Sequence, residues 1–214
     1  MIGLLLLVAA STPTAIDAER AFAADAQRIG QWTAFRKYAE PTAVVFTPQA
    51  AWAQVVFKTL PDPKQAIAWS PARSFVSCDG NLAVNTGPWR NPRDEQGYFT
   101  TVWSRQKDGG WKWAVDGGDK LATPLAPRAH PLVRRATCAG LARLAKVYSA
   151  TTPTMDALAD KAPADAGQGR SADGTLSWLW TVAKDGARHF QAKQWNGRRY
   201  DVVLDQRVAA PPKK

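Results

Sequence analysis

The sequence predicts an α+β fold in which N-terminal helices pack on an antiparallel β-sheet. Helical periodicity runs through residues 17–40, and three runs rich in aromatic and β-branched residues follow between residues 77 and 118. Three further runs of this kind lie between residues 171 and 204, and they predict a C-terminal three-stranded meander that extends or covers the first sheet. Separate groups of helices and strands are typical of the α+β class.

The first helical region has one apolar face and one polar face. The apolar face consists of Ala18, Phe22, Ile29, Trp32, Phe35 and Ala39, which recur at steps of three, four and seven. The predicted polar face holds Glu19, Arg20, Gln27 and Arg28. Asp17 is the expected N-cap. Because Gly30 interrupts the pattern, the region predicts either two helices or one kinked helix.

The meander between residues 77 and 118 is the predicted centre of the fold. In its long strand Val102 and Trp103 fall on opposite faces, and neither face is plainly polar. In the next strand, strict alternation puts Trp111, Trp113 and Val115 on one face and Asp116 on the other. Large apolar side chains on both faces predict that a layer of structure packs on each side of the sheet.

The segments between the helices and the meander predict shorter elements. Residues 43–47 predict a strand, and residues 49–58 favour a helix on propensity. A short helix is expected near residues 64–67, because Pro61 and Pro63 suit a first helical turn.

After the meander the composition changes to proline and small residues. Residues 120–170 are therefore predicted to be a partly irregular linker, with a helix over residues 132–148. The C-terminal meander is expected over residues 171–208, and residues 209–214 are expected to form a disordered basic tail.

The two meanders echo each other in sequence. Residues 77–82 read SCDGNL and residues 171–176 read SADGTL, and the last strand of each meander ends in an aspartate, Asp116 or Asp205. An internal repeat explains this echo, and so does convergence of two unrelated meanders.

The N-terminus indicates export, and in an oxidising compartment the two cysteines could pair. Residues 1–15 are predicted to be a signal peptide, because a short apolar run is followed by small residues; a start codon placed too far upstream is the alternative. The protein is expected to be periplasmic or secreted, without a membrane anchor. Cys78 and Cys138 form either one disulfide bond or two free thiols.

Charge and motifs limit the range of partners. The net charge is +10, and residues 120–214 hold 16 Lys and Arg against 7 Asp and Glu. These charges are scattered and form no nucleic-acid motif, so a nucleic-acid partner is not expected. The sequence also lacks metal-ligand spacing, a nucleophile elbow and a phosphate-binding loop, and no metal or cofactor is predicted.

Residues 17–119 resemble the nuclear-transport-factor-2-like superfamily, in its SnoaL-like branch. The residues that carry the resemblance are Ala18–Phe46, the PDP at residues 61–63, SCDGNLAVNTGPW at residues 77–89 and Gly97–Gly118. The resemblance implies a cone in which helices fold against a curved sheet around an apolar pocket. Members of the family include isomerases, cyclases and dehydratases as well as binding and assembly modules, so the fold does not decide the function.

The resemblance suggests three functions and a set of site residues. A small apolar or amphipathic ligand is expected in an aromatic pocket formed by Trp32, Phe35, Trp52, Trp69 and Trp103. The alternative is an isomerase or lyase that uses Asp116 with Tyr98, with Asp25 as a further candidate acid. The third is a non-catalytic assembly module that forms a homodimer through the sheet.

Overall fold

The computed structural model describes residues 12–147 and 163–212. Most of the predicted signal peptide, the middle of the predicted linker and the last two residues of the predicted tail lie outside the described residues. The helices are α1 (Ala15–Ile29), α2 (Gln31–Tyr38), α3 (Ala53–Val56) and α4 (Leu141–Val147). The strands are β1 (Ala39–Phe46), β2 (Ala50–Trp52), β3 (Ala68–Trp69), β4 (Arg73–Val76), β5 (Leu82–Arg90), β6 (Gln96–Arg105), β7 (Trp111–Lys120), β8 (Leu132–Arg135), β9 (Ala166–Arg170), β10 (Leu176–Val182), β11 (Arg188–Trp195) and β12 (Tyr200–Val208).

The predicted helical region forms two helices with different caps. Thr14, and not Asp17, is the N-cap of α1, and Asp17 completes the capping box by accepting the Thr14 N–H at 2.9 Å. Gly30 separates α1 from α2 with a φ of +105°, a conformation that glycine adopts readily. The Asp62 carboxylate caps α2 by accepting the Trp32 N–H at 2.5 Å, and no helix follows it at residues 64–67.

The strands form two separate sheets. The large sheet has the order β2-β1-β7-β6-β5-β4-β8, with β3 paired to β5. All of its pairs are antiparallel except β1 with β7 and β4 with β8. The C-terminal sheet has four strands in the order β12-β11-β10-β9. The α+β class is therefore confirmed, whereas the predicted three-stranded extension is a separate four-stranded sheet.

Each face of the large sheet carries its own hydrophobic core. We call the face that contacts α1 and α2 the inner face and the opposite one the outer face. The inner core combines α1 and α2 with Ala83, Val45 and the buried rings of Trp103, Trp111 and Trp113. The outer core joins the large sheet to the C-terminal sheet; its members include Val84, Val102, Val115, Leu176, Trp178 and Trp180. A layer therefore covers each face, as the aromatic alternation predicts.

The outer face is the surface on which the homodimer was expected to form. The C-terminal sheet of the same chain covers it, and Val84 and Val102 are fully buried there. The C-terminal sheet of the same chain thus occupies the central part of this face, and the homodimer through the sheet stays a prediction.

The predicted linker contains regular structure. Residues 132–148 were expected to form one helix, but Leu132–Arg135 is an edge strand and the helix begins only at Leu141. The backbone pairs β8 in parallel with β4, and this long-range pairing outweighs local helix propensity. The expected helix over residues 49–58 is likewise split into β2 and the short α3.

The two meanders share a turn and a bulge. Leu82 N–H donates to Ser77 Oγ at 3.1 Å, and Leu176 N–H donates to Ser171 Oγ at 3.0 Å, so both turns have one geometry. In the β6–β7 pair the register shifts at Ala114, and in the β11–β12 pair it shifts at the equivalent residue. These shared details favour an internal repeat over convergence.

The two repeated turns contact each other directly. The Cys78 N–H donates to Thr175 Oγ1 at 2.8 Å, and the Asp79 N–H donates to the Asp173 carboxylate at 2.7 Å. Cys78 also forms a disulfide bond with Cys138, with a Cα–Cα distance of 5.3 Å. The first turn is therefore tied both to the C-terminal sheet and to the segment that follows β8.

Candidate functional site

A cavity of about 410 Å³ lies between the helices and the inner face of the large sheet. Its size is within the range of pockets that hold small molecules. The aromatic residues of its wall are Phe22, Trp32, Phe35, Phe46, Phe57, Trp69, Trp89 and Phe99. The helices and the sheet therefore leave a space between them that is mainly aromatic.

The aromatic wall is held in place by ring contacts. Trp32 stacks on Phe57 with ring centroids 4.9 Å apart and an interplanar angle of 10°. Phe22 contacts Phe35 and Trp69 edge to face, at 4.7 and 4.8 Å. Such contacts fix the ring positions, so the cavity walls are preorganised for an apolar occupant.

Three of the five predicted pocket residues line this cavity, and two do not. Trp32, Phe35 and Trp69 are part of its wall. Trp103 is fully buried beneath the wall. Trp52 packs against the outer core, because β2 turns its side chain away from the helices. Sequence composition identified the type of residue in the pocket but not the face on which each ring lies.

A β-bulge places Asp116 in the cavity. Val102 pairs with Val115 and Trp103 pairs with Trp113, so Ala114 is an additional residue in β7. Strict alternation predicted Asp116 on the face opposite Trp111 and Trp113. The bulge reverses the alternation after Ala114, and the Asp116 carboxyl group lies among the cavity residues on the inner face.

Burial sets the protonation state of Asp116. Its pKa is raised to about 8, first because the carboxylate loses solvation in the apolar cavity. The nearby Glu19 raises it further, while the Thr101 hydroxyl, which donates to Oδ2 at 2.7 Å, opposes the shift. Asp116 is therefore mainly protonated at pH 7, and it can donate a hydrogen bond to a bound molecule.

Glu19 is a second buried carboxyl group, which the sequence interpretation placed on the polar face of the helix. It is 0% exposed and accepts indole N–H groups from Trp69 at 2.9 Å and Trp103 at 2.6 Å. Asn85 donates to it at 3.3 Å. Desolvation raises its pKa to about 7 against the effect of these donors. Glu19 lies four residues after Ala15 and three before Phe22, which places it on the apolar stripe of α1. This spacing is the sequence signal that could have identified Glu19 as a buried residue.

The structure does not bring Tyr98 and Asp116 together. Tyr98 pairs with Asp119 on β7, and Asp116 pairs with Thr101, three residues further along β6. Odd and even positions of a strand point to opposite faces, so Tyr98 points toward the C-terminal sheet. It lines a small crevice of about 30 Å³ between the two sheets. The predicted catalytic pair is therefore not assembled.

Asp25, the further candidate acid, is engaged in ion pairs. Its carboxylate contacts Lys37 at 2.5 Å and Arg28 at 2.7 Å, and the Tyr38 hydroxyl donates to it at 3.1 Å. These donors, Lys37 first, lower its pKa to about 2. Asp25 therefore remains ionised and paired while its side chain is largely covered, and it is not among the residues that line the cavity.

Five polar residues line the cavity besides Asp116. They are Gln31, Thr47, Asp119, Lys120 and Arg188. Lys120 is exposed and lies on the inner face four residues beyond Asp116, or about 13 Å along the strand. The cavity lining thus includes Asp116, whose pKa is raised, together with Asp119 and two cationic side chains, of which Lys120 is exposed.

The described part of the chain contains neither a group of metal-ligating side chains nor a membrane-spanning helix. No three His, Cys, Asp or Glu side chains within residues 12–147 and 163–212 are grouped as a metal site. None of the helices described there is long and apolar enough to cross a bilayer.

Comparisons with known proteins identify structural neighbours only. No family model and no curated protein matches the chain. A nuclear transport factor 2-like superfamily protein from Salmonella enterica is 14% identical, with a TM-score of 0.38, and the match covers 51% of this chain and 89% of that one. A proposed ketosteroid isomerase from Parabacteroides distasonis is 16% identical, with a TM-score of 0.40, over 50% and 88% of the two chains. The CaMKII hub of S. rosetta is 16% identical, with a TM-score of 0.38, over 53% and 100%.

Each of these matches covers about half of this chain, with a TM-score of at most 0.40. The resemblance of residues 17–119 to the nuclear-transport-factor-2-like superfamily therefore still depends on the sequence motifs. At these identities the likeness concerns the fold alone, and the SnoaL-like branch stays a prediction. The evidence for function therefore comes from the side chains that line the cavity.

Proposed function

We propose that the protein binds a small, mainly apolar ligand in the cavity between the helices and the inner face. The observation that carries the proposal is the aromatic wall, held by ring contacts, around about 410 Å³ of space. The lining also includes Asp116, whose pKa burial raises to about 8. Trp32 and Trp69 supply apolar contact area, and Asp116 supplies one directional hydrogen bond to a polar atom of the ligand.

A neutral fluorescent dye tests this proposal. N-phenyl-1-naphthylamine emits strongly in apolar sites and carries no charge. Ile67, a partly buried residue of the cavity wall, is changed to Trp so that the larger ring fills the space. The matched control is Val55→Trp, because Val55 is 69% exposed and lies outside the cavity. We expect saturable binding to wild type and to V55W, and at least tenfold weaker binding to I67W.

Two results would contradict the binding proposal. Wild type that gives no saturable dye signal has no accessible apolar site. Equal binding to wild type and I67W would place the dye somewhere else on the protein. Near-ultraviolet circular dichroism of I67W checks that the aromatic packing persists.

A second candidate function is proton-transfer catalysis, and the environment of Asp116 favours it. A carboxylic acid that stays neutral in an apolar site can donate a hydrogen bond to a carbonyl oxygen and polarise it. Solvent hydroxide then removes an α-proton as water, the hydrogen bond stabilises the enolate, and solvent returns a proton or deuteron to the carbon. An isomerase or lyase of this kind would use Asp116 without Tyr98. The test is proton NMR of exchange at the α-carbons of cyclic ketones in D₂O. Exchange no faster with wild type than with Asp116→Asn would exclude this chemistry for those substrates.

We also propose that the protein functions in the periplasm or outside the cell. The disulfide between Cys78 and Cys138 supports this, because disulfides persist in oxidising compartments. The apolar run at the N-terminus supports it independently. Cell fractionation of the expressed full chain is the test, and recovery of the unprocessed, reduced chain in the cytoplasm would refute it.

A further inference from the structure

The C-terminal sheet contributes one side chain to the cavity. Arg188, the first residue of β11, is the only residue of that sheet among the described residues that line it. It therefore connects the part of the chain that resembles a known fold with the part that does not.

The Arg188 guanidinium group is fixed beside the cavity wall. One of its terminal nitrogens donates to the Gly118 carbonyl oxygen at 2.8 Å. The group also lies over the Phe46 ring, 5.1 Å from the ring centroid. Gly118 and Phe46 both line the cavity. The remaining N–H donors of the Arg188 guanidinium group therefore lie next to the cavity.

Arg188 has no ion-pair partner in the described part of the chain. No carboxylate there lies within 4.0 Å of it, and Asp119 acts on it only at longer range. Partial burial lowers its pKa, which shows that the charge is partly desolvated. By contrast, Lys120, which also lines the cavity, is paired with Glu95 at 2.5 Å. A partly buried arginine without a carboxylate partner is a suitable site for an anion.

We infer that the ligand of the cavity is a small amphipathic carboxylate, whose anionic group pairs with Arg188 while its apolar body lies against the aromatic wall. The inference rests on the proposed binding function and adds the chemical class of the ligand. It also assigns a role to the C-terminal sheet, which completes the binding site by supplying the anion-binding side chain.

A pair of nearly isosteric probes tests the inference. At pH 7, 2-naphthoate carries a carboxylate, whereas 2-naphthamide has the same rings and no charge. Displacement of bound N-phenyl-1-naphthylamine measures the affinity of each probe at the same site. We expect wild type to prefer 2-naphthoate by roughly tenfold or more, the size of a charge-assisted hydrogen bond. Arg188→Gln should reduce that preference to about twofold or less while 2-naphthamide binds as before.

The matched control changes a charge on the same sheet outside the cavity. Arg207 on β12 is 75% exposed at its side chain, so Arg207→Gln alters the net charge equally without touching the site. It should keep the wild-type preference. Arg188→Lys keeps the charge but not the paired donors of the guanidinium, and it should retain an intermediate preference.

The outcomes separate the two proposals. If wild type binds the dye but R188Q keeps the full preference for 2-naphthoate, the inference is wrong and the binding function stands. Equal loss of both probes in R188Q also overturns it, because that result indicates a structural role. If R207Q loses as much of the preference for 2-naphthoate as R188Q does, the net charge of the protein causes that preference, and the inference is wrong. Wild type that binds neither dye nor probes overturns both proposals.

Discussion

The indole N–H of Trp103 donates a hydrogen bond of 2.6 Å to the carboxylate of Glu19, and neither residue has any exposed surface. Trp69 donates to the other carboxylate oxygen, and the same ring forms part of the cavity wall. A buried acid on α1 thus fixes one ring in the core and one ring at the binding site. This arrangement connects the stability of the inner core with the shape of the cavity.

Glu19→Gln is expected to destabilise the protein by about 1–3 kcal/mol at pH 5, where Glu19 is mainly protonated. Both oxygens of a carboxyl group can accept from an indole N–H, whereas an amide nitrogen cannot and leaves a buried donor unpaired. Urea unfolding followed by tryptophan fluorescence measures the change. Ala24→Gln, on the exposed face of the same helix, is the control and should change stability by less than about 0.5 kcal/mol. Unchanged stability of E19Q would contradict the assigned role of the carboxylate.

Because the pKa of Asp116 is raised, the free energy of unfolding should decrease as the pH rises. Its pKa is about 8 in the folded protein and near 3.8 when exposed, so between these values the folded state holds a proton that the unfolded state has lost. The stabilisation that the proton on Asp116 gives to the folded state is complete below about pH 4 and is lost as the pH rises to about 8. Glu19 acts in the same direction up to about pH 7.

Asp116→Asn should remove the part of this pH dependence that comes from Asp116. We expect the variant to gain roughly 2 kcal/mol relative to wild type between pH 5 and pH 8.5, since one pKa unit corresponds to about 1.4 kcal/mol and the site is partly solvated. Thermal unfolding at a series of pH values is the measurement. Parallel profiles for the two proteins would show that Asp116 ionises normally.

The disulfide should contribute substantially to stability. It joins residues 60 positions apart, and closing a loop of that size in the unfolded chain stabilises a protein by about 3–4 kcal/mol. The double variant Cys78→Ser with Cys138→Ser should lose about this amount in urea unfolding. Wild type treated with dithiothreitol should match the variant, and the variant itself should not respond to the reagent.

The contact between the repeated turns predicts different roles for two aspartates in equivalent positions. Asp173 accepts bonds within its own turn and also the Asp79 N–H of the other turn. Asp79 accepts bonds only within its own turn among the described contacts. Asp173→Ala should therefore cost about 1 kcal/mol more than Asp79→Ala in chemical unfolding. Equal losses would mean that the contact between turns adds nothing to stability.

Much of the fold could be predicted from local patterns. The 3.6-residue period identified α1 and α2, and the aromatic and β-branched runs identified β5, β6, β7 and the C-terminal meander. The echo between SCDGNL and SADGTL was also visible in the sequence, and the structure shows that both segments form the same turn. These features depend on neighbouring residues, and local sequence therefore specifies them.

The features that sequence reasoning missed depend on long-range contacts. The parallel pairing of β8 with β4 cannot be recognised in four residues that are all exposed. The bulge at Ala114 reverses the face of Asp116 without any glycine or proline to mark it. Glu19 is a charged residue on an apolar stripe, and only the indole donors contributed by other strands explain its burial.

The covered outer face has a consequence for how the protein responds to dilution. Where two subunits shield each other's sheets, the shielding weakens as the protein concentration falls. Here both layers belong to one chain, so the second sheet stays at a high effective concentration that dilution cannot change. The melting temperature should therefore be the same at nanomolar and micromolar protein, and the cavity with its arginine should persist in a single isolated molecule.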